Sequence, residues 1–502
     1  MKASAFHVLL FSILTYLLLL LLFGYQFGDN DHIELLPYIL KLQDPTLYQN
    51  DFFLDSMFAM IPNERHIFAS VFSLFPASSL EWVFFIFHVF SSLILIFGLY
   101  RIAERFVSRP YLIWSAIILN LLFFHEWNFG KVEMYYSAFQ ASNLAKAIAV
   151  WSIFYFIDGH KWAAFILLIA VTYIQVVVGL NLAIVFTSIV VLGFRRQAFF
   201  SDLKPVIAYT VLTLPFLLLL LMNRSAASDK HYFEIMFNFR HQHHFFIYSS
   251  DKIILMLSLI MLSLVFYFNR SKELFLFTMI ITIGTCIYVL NMQFLKIEFI
   301  ANFNWLKNTI WLKYLGFVGF VGLLEKYLPK FTFKPALLTL FLGLAILTTG
   351  HLLLNQRDKT NYTAPLEFPT RERSDSSLDI CEQIINRTNN NALFIQPFNF
   401  TALKYHSQRA SYVDFKAIPR SPKFAQTWYK RINEVYGLSL TDGGGFGMKQ
   451  KADKNYKTMS DKDIPFLSKH GITHLLTFRD HKLNAPVIAE NSDYIVYKLT
   501  ED

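Results

Sequence analysis

Cysteine is almost absent from this sequence. Only Cys286 and Cys381 occur among 502 residues, one inside a long apolar segment and one in the polar C-terminal part. Two such cysteines indicate neither a disulfide framework nor a cysteine-based zinc site. A P-loop is missing as well, because the glycine-rich stretch 441–447 lacks the Gly-Lys-Ser/Thr end of that motif. We interpret this stretch as a loop.

Charge is scarce too. Charged residues make up 16% of the chain, hydrophobic residues make up 55%, and the mean hydropathy is +0.40. This composition is too apolar for a soluble protein of this length, so it indicates a polytopic membrane protein. The formal net charge of +9 fits loops and a domain beside anionic lipid, and we expect no nucleic-acid partner.

The apolar residues are grouped in runs long enough to cross a ~30 Å hydrocarbon core as helices. We predict about eleven transmembrane helices. Their approximate positions are 5–23, 80–100, 110–125, 141–157, 162–178, 179–194, 205–222, 252–268, 274–291, 308–325 and 336–354. A cleaved signal peptide is the alternative for the first run, but no small-residue cleavage site precedes Gly28.

Basic residues mark one set of alternating short loops. They are Arg101, Arg105, Arg109, Lys161, Arg195, Arg196, Lys204, Arg270, Lys272, Lys326, Lys330 and Lys334. By the positive-inside rule these loops are cytoplasmic. The N-terminus is then cytoplasmic, and loops 24–79, 126–140, 223–251 and 292–307 are extracytoplasmic, together with the C-terminal part.

The chain divides into two predicted domains, a transmembrane domain over 1–354 and an extracytoplasmic α/β domain over 355–502. In the second domain, 392–396, 410–415, 473–478 and 494–499 have the pattern of strands. A helix is predicted over Pro422–Tyr436, with Ser421 as N-cap and Gly437 as the stop. Within the first long loop, the short apolar stretches Leu35–Leu42 and Ile67–Phe75 fit interfacial helices on the outer leaflet.

Two acids, Asp29 and Asp31, follow the first apolar segment. In an extended segment both side chains point the same way. An outer site has no cytosolic nucleotides, so a sugar donor must arrive on a lipid. Transfer from polyprenyl phosphate needs a carboxylate to take the acceptor's proton, and a cation or metal to stabilise the departing phosphate. We therefore assign Asp29 or Asp31 as the base, or both as ligands of a divalent cation.

The alternative for the same residues is a capping box, with Asp31 as N-cap and Glu34 three residues later. Pro37 argues against it, because proline would then lie inside the helix.

The run Asp29-Asn-Asp31-His-Ile-Glu34-Leu-Leu-Pro-Tyr-Ile-Leu-Lys-Leu-Gln-Asp44-Pro resembles the first extracytoplasmic loop of GT-C type glycosyltransferases. These polytopic enzymes use polyprenyl-phosphate-linked sugars, and the resemblance places the catalytic carboxylate at Asp29 or Asp31. Asn391-Ala-Leu-Phe-Ile and Lys469-His-Gly-Ile-Thr-His-Leu-Leu are similar to segments of the extracytoplasmic domains of oligosaccharyltransferase-like proteins. The stretches 409–416 and 428–431 resemble an uncharacterised bacterial GT-C-like membrane family. The first loop has no adjacent Asp-Asp or Asp-Glu pair.

Further polar groups on the predicted outer face could contact the lipid phosphate. Those assigned to substrate binding are Glu34, His125, Glu126, Arg240, His243 and Lys296. Arginine makes bidentate phosphate contacts, and histidine or lysine adds charge. A hydrated surface loop is the favoured interpretation of the histidines at 241–244, and we predict no metal site there. For His125 and Glu126 the alternative is a helix end at the membrane interface. Lys404, Arg409, Lys416 and Arg431 are expected on an ordinary solvated surface, and the alternative is that they face a cavity at the membrane surface.

The sequence thus favours a mainly α-helical, GT-C-like protein of the bacterial cytoplasmic membrane, with a C-terminal extracytoplasmic α/β domain. The expected activity is transfer of a sugar from a polyprenyl-phosphate-linked donor to an extracytoplasmic acceptor. A catalytically inactive scaffold of a cell-envelope complex, with an envelope protein as partner, is the alternative. A transporter is disfavoured, because carriers usually place ionisable groups near the midplane. The apolar segments hold few such residues, and Lys313 is the main candidate.

Overall fold

The computed structural model describes residues 4–28, 31–193, 199–224, 230–327 and 375–500. Most of these residues are helical, and a small sheet lies near the C-terminus. The α-helices are Ala5–Phe23, His32–Gln43, Phe52–Ala59, His66–Phe72, Leu80–Ala103, Pro110–Ile118, Ala141–Ile157, Lys161–Ile174, Val176–Leu192, Phe199–Arg224, Lys230–Phe233, Gln242–Phe245, Ser250–Tyr267, Lys272–Leu290, Glu298–Asn302, Thr309–Tyr327, Ser376–Arg387, Pro422–Tyr436, Lys449–Tyr456 and Ile464–Lys469. Short π-helical segments extend some of them, including Leu119–Phe123 and Glu234–Arg240.

Several helices are long and apolar enough to cross a membrane, which makes this a membrane protein. Within the described residues there are five: Ala5–Phe23, Ala77–Ala103, Phe200–Asn223, Gln242–Tyr267 and Lys272–Leu295. Between 28 and 44% of each helix's most apolar window is buried inside the protein. The remaining apolar side chains therefore face outward, as hydrocarbon contact requires.

The structure does not support the predicted count of about eleven spans. Four of the expected segments form helices of only 10–17 residues. The 19-residue helix Thr309–Tyr327 carries three charged residues, Lys313, Glu325 and Lys326, whereas the most apolar window of each of the five carries at most two. The expected span 336–354, and with it the predicted domain boundary near residue 354, lies outside the described residues.

One expected pair of spans divides at a different place. The chain breaks at Gln175 (φ −148°, ψ 94°), between Lys161–Ile174 and Val176–Leu192, and not at residues 178 and 179. Gly179 permits the close packing after the break, because a Cβ there would lie 2.2 Å from the Thr172 hydroxyl. The two segments are therefore separate helices.

The chain forms two compact units. The first unit comprises residues 1–26, 84–215 and 243–368, and the second comprises 27–83, 216–242 and 369–502. The second unit thus combines the first long loop, a segment preceding residue 243 and the C-terminal part.

The C-terminal part of the second unit contains a five-stranded sheet. Its strands are Leu393–Ile395 (β1), Ala410–Ser411 (β2), His474–Phe478 (β3), Val487–Glu490 (β4) and Tyr494–Lys498 (β5), in the order β2-β1-β3-β5-β4. β1 pairs in parallel with β2 and β3, and β5 pairs antiparallel with β3 and β4. Strands are confirmed at the four predicted places, but β2 covers only Ala410–Ser411 of the predicted 410–415, and β4 was not predicted.

Helices cover this sheet with apolar faces. Ser376–Arg387 places Ile380, Cys381 and Ile384 against sheet residues that include Phe394 and Val496. The predicted helix Pro422–Tyr436 is confirmed, and Gly437 ends it in the left-handed conformation (φ 58°).

The expectation of an interfacial helix over Leu35–Leu42 is wrong. The helix His32–Gln43 is buried on all sides from His32 to Leu40, because the other parts of the second unit surround it. The neighbouring helix His66–Phe72 buries only Phe68, Ala69 and Phe72, and Leu74 beyond it is 82% exposed.

Candidate functional site

Asp31 begins the buried helix His32–Gln43 in the second unit. It occupies the N-cap position but has helical dihedral angles (φ −71°, ψ −9°), and its side chain makes no capping hydrogen bond. The Asp31 side chain is 59% exposed. The capping-box interpretation is therefore wrong. Pro37 nevertheless lies inside this helix, so the argument that a helix could not include this proline is wrong as well. Asp29 lies outside the described residues.

Glu34 lies one turn into the same helix, and its buried carboxylate binds the guanidinium of Arg65. Burial by itself lowers the pKa of Arg65, but the carboxylates of Glu34, Glu64 and Asp31 more than compensate, so the pKa is raised. Arg65 is accordingly a fixed positive charge. Glu64 in turn lies 3.5 Å from the Arg420 Nε atom.

Lys416 comes from the C-terminal part. Its Nζ atom lies 3.7 Å from the Asp31 Oδ1 atom. The backbone around it is held at two points, because Lys416 N donates to the Asp414 carboxylate (2.7 Å) and Arg240 Nη2 donates to the Lys416 carbonyl (2.7 Å). The lysine that approaches Asp31 is therefore attached to a rigid turn.

Arg240 ends the π-helical segment Glu234–Arg240 and is only 3% exposed. The rings of Phe415 and Phe446 lie 5.0 and 5.2 Å from its guanidinium carbon. Burial lowers the pKa of Arg240 to about 10, although Glu34, Asp414 and Asp31 oppose the shift. The side chain therefore stays charged at neutral pH. Its Nε–H group has no hydrogen-bond partner among the described residues.

The second unit thus brings one exposed carboxylate close to several fixed cations. Glu34 and Glu64 already have arginine partners, and the Asp414 carboxylate accepts backbone N–H groups. Asp31 is the exposed acid of the set. A carboxylate in this position can accept a proton from a bound hydroxyl, and the neighbouring cations can stabilise a phosphate.

The other residues assigned to substrate binding belong to the first unit. His125 follows the π-helical segment Leu119–Phe123, and its Nε2 atom lies 3.0 Å from the Tyr135 carbonyl oxygen. Glu126 is exposed and Glu133 partly buried. Burial and, to a smaller extent, the nearby Glu126 raise the pKa of Glu133 to about 8, against the opposing effect of Lys146, Lys313 and Lys252.

His243 and Lys296 also belong to the first unit. The His243 ring packs on the His244 ring at a centroid distance of 4.0 Å, and both residues are partly exposed. Lys296 is exposed and left-handed (φ 53°) at the end of a π-helical segment.

Sequence reasoning missed the roles of several charged residues in the second unit. Arg65 was not singled out, although an Asn-Glu-Arg-His run inside an apolar loop is a usable signal. The expectation of a solvated surface is wrong for Lys404 and Arg409, which are 1% and 3% exposed. Lys404 contacts the buried Asp51 carboxylate, and Arg409 donates to the carbonyls of Ile385 and Thr388.

Comparison with known protein families gives a match in the C-terminal part. Residues 375–435 are similar to a domain of unknown function, DUF6798. The matched stretch includes Lys416 and Arg420 of the candidate site and also the buried Lys404 and Arg409. No curated protein matches the chain.

Proposed function

We propose that this protein is a GT-C-like glycosyltransferase of the bacterial cytoplasmic membrane, which transfers a sugar from a polyprenyl-phosphate-linked donor to an extracytoplasmic acceptor. The observation that carries the proposal is the position of Asp31, an exposed carboxylate 3.7 Å from Lys416 and within the electrostatic influence of Arg240 and Arg65. Transfer from a lipid phosphate needs this combination of a base and cations.

In the proposed reaction, a hydroxyl of the acceptor attacks the sugar carbon that carries the phosphate. Asp31 takes the hydroxyl proton as the new carbon–oxygen bond forms. The old carbon–oxygen bond breaks, and its electron pair leaves with the polyprenyl phosphate. Lys416 and Arg240 stabilise that leaving group, since ammonium and guanidinium groups bind phosphate oxygens strongly. The alternative role for Asp29 and Asp31, as ligands of a divalent cation, is a separate proposal for the same residues.

The composition of the second unit supports an outer location of this site. Loop 24–79, loop 223–251 and the C-terminal part are all assigned to the extracytoplasmic side by the distribution of basic residues. Residues from all three pack in one compact unit, and segments packed together must lie on the same side of a bilayer. The arrangement is therefore consistent with the proposed topology.

The test is the full-length Asp31→Asn variant in proteoliposomes, assayed with a panel of polyprenyl-phosphate-linked tritiated hexoses and an envelope extract as acceptor. We expect transfer to fall by roughly 10²- to 10⁴-fold, the usual contribution of a general base. Folding should be retained, because the Asp31 side chain is exposed and caps no helix. Asp55→Asn is the matched control, since Asp55 is 52% exposed and pairs with Lys41 in the same unit.

Undiminished transfer by Asp31→Asn would refute the assigned role. The alternative, an inactive scaffold of an envelope complex, predicts a different result. In that case the wild-type protein transfers none of the hexoses and copurifies with a stoichiometric envelope protein.

A further inference from the structure

The glycine-rich stretch 441–447 belongs to the same compact unit as the candidate site. Hydrogen bonds fix the start of this stretch. The Asp442 carboxylate accepts from Ser439 N at 2.8 Å. The backbone N–H of Leu440 donates to the Tyr429 hydroxyl at 3.1 Å. The stretch is therefore tied to the helix Pro422–Tyr436 in a defined conformation, as a rigid binding loop has to be.

Gly444 brings this stretch against the segment that ends in Arg240. A Cβ atom at Gly444 would overlap the Asn238 carbonyl oxygen and would lie 2.8 Å from Gln242 Oε1. Glycine is therefore needed here, because the two backbones approach too closely for any side chain. At Gly447 the situation differs, since no described atom lies within 4 Å of the place that a Cβ would take.

The close approach places the Phe446 ring beside Arg240, with 5.2 Å between the ring centroid and the guanidinium carbon. Phe446 also packs on the Phe415 ring at a centroid distance of 5.4 Å, and Phe415 directly precedes Lys416. Phe415 is completely buried, whereas Phe446 is 38% exposed. A ligand that approaches Arg240 on this side therefore meets the Phe446 ring first.

An exposed aromatic ring beside groups that bind phosphate is suited to a phosphate-linked sugar. The C–H groups on one face of a pyranose ring carry partial positive charge, and they pack on the negative face of an aromatic ring. The phosphate of such a ligand has its partner in Lys416, whose ammonium group lies 3.7 Å from the Asp31 carboxylate. The prenyl chain, the other apolar part of the donor, is far longer than one ring and belongs in hydrocarbon.

We propose that Phe446 binds the sugar of the donor, by packing its exposed ring face on the pyranose ring. The glycine-rich stretch then has a function, because its close contact at Gly444 sets the position of this ring. The inference rests on the proposed sugar transfer, from which it takes its ligand. It adds to that proposal a residue that recognises the sugar and takes no part in the bond exchange.

The experiment measures ligand binding by the full-length protein in detergent without acceptor, so that no transfer takes place. The probes are the polyprenyl-phosphate-linked tritiated hexoses of the transfer assay and tritiated polyprenyl phosphate without a sugar. Phe446→Ala should raise the Kd for the hexose lipid roughly 2- to 10-fold, the usual range for an aromatic contact. The Kd for the lipid without a sugar should not change.

Two further variants of Phe446 separate the ring face from mere packing. Phe446→Leu should weaken hexose-lipid binding as Phe446→Ala does, because leucine fills the space without providing a π face. Phe446→Trp should keep the wild-type Kd. An unchanged Kd for the lipid without a sugar shows in each case that the variant is folded.

Matched controls exist for both the ring and the glycine. Phe466→Ala removes a ring of the same unit that is 42% exposed and packs on His470, so both Kd values should stay as in the wild type. Gly444→Ala should weaken hexose-lipid binding, because the added Cβ displaces the stretch that carries Phe446. Gly447→Ala should not, because its Cβ meets open space.

The inference is overturned if Phe446→Ala binds the hexose lipid as the wild type does, or if it loses affinity for both lipids equally. It is also overturned if the wild type binds neither lipid. Failure of the proposed transfer is a separate result. A protein that binds the hexose lipid through Phe446 but transfers no hexose would contradict the proposed reaction and support the binding site.

Discussion

Removal of either partner from the buried ion pair between Asp51 and Lys404 should strongly destabilise the second unit. The two residues are 0% and 1% exposed, and Lys404 Nζ lies 3.4 Å from both carboxylate oxygens. Asp51 Oδ1 also accepts from Leu54 N (3.0 Å), and Oδ2 accepts from Ser411 N (2.9 Å). One carboxylate therefore caps the helix Phe52–Ala59, neutralises a buried lysine and binds the strand β2.

Lys404→Met removes the charge and keeps an apolar chain of similar length beside Phe53, over which Lys404 now lies. Breaking a buried pair typically costs 3–5 kcal/mol, because the remaining charge has no counter-ion. Here the remaining carboxylate keeps two backbone N–H donors, and we expect a cost near the lower end, about 3 kcal/mol. Asp51→Asn should cost more, since it leaves a buried ammonium ion and directs an amide NH₂ at a backbone N–H.

The measurement is pulse proteolysis of the full-length protein in detergent over a urea series, which reports the free energy of opening. Lys430→Met is the control, because the Lys430–Glu434 pair lies on a helix of the same unit with the lysine 76% exposed. It should cost no more than about 0.5 kcal/mol. The double variant Asp51→Asn with Lys404→Met should cost less than the sum of the single variants.

The reasoning would be refuted if Lys404→Met proved as stable as Lys430→Met. Additive costs in the double variant would also refute it, because they would mean that the two charges do not interact.

Three further predictions concern the second unit. Burial lowers the pKa of His66 below its ordinary 6.5, so stability should be complete above that pH and decline as the pH falls toward the folded-state pKa; His66→Gln should flatten this decline in melting curves between pH 7 and pH 5. Gly437→Ala should cost about 1–2 kcal/mol in the urea assay, since φ is 58° there. Trp428→Phe should cost about 1–3 kcal/mol in the same assay, because it leaves the buried Asp414 carbonyl without its indole donor at 2.9 Å.

Local signals were sufficient for some elements. The helix Pro422–Tyr436 was predicted to the residue, because proline fits the first helical turn and Gly437 can adopt the left-handed conformation that ends the helix. Apolar runs of ordinary strand length likewise identified β1, β3 and β5. In each case the determining residues are neighbours in sequence.

Signals that depend on distant partners were not sufficient. A lysine at position 404 is a surface residue by composition, and its burial follows only from Asp51, which lies 353 positions earlier. The same holds in part for Arg65, whose carboxylate partner Glu34 lies on another helix, although Glu64 is its neighbour in sequence. The span count failed for a different reason, because the predicted segments 110–125, 141–157, 162–178 and 179–194 nearly coincide with helices of 10–17 residues, which are shorter than the ~20 residues that a span usually needs.

The buried charges also constrain how the second unit folds. Asp51 and Glu34 are synthesised long before the C-terminal part, yet Asp51 obtains its ammonium and one of its amide donors only from Lys404 and Ser411. Until then the Asp51 carboxylate cannot be buried without a large desolvation cost, so it has to remain hydrated. The first long loop therefore reaches its final packing only after the C-terminal part has been made on the same side of the membrane. Asp31 and Lys416 follow the same order, which means that the candidate site is completed last.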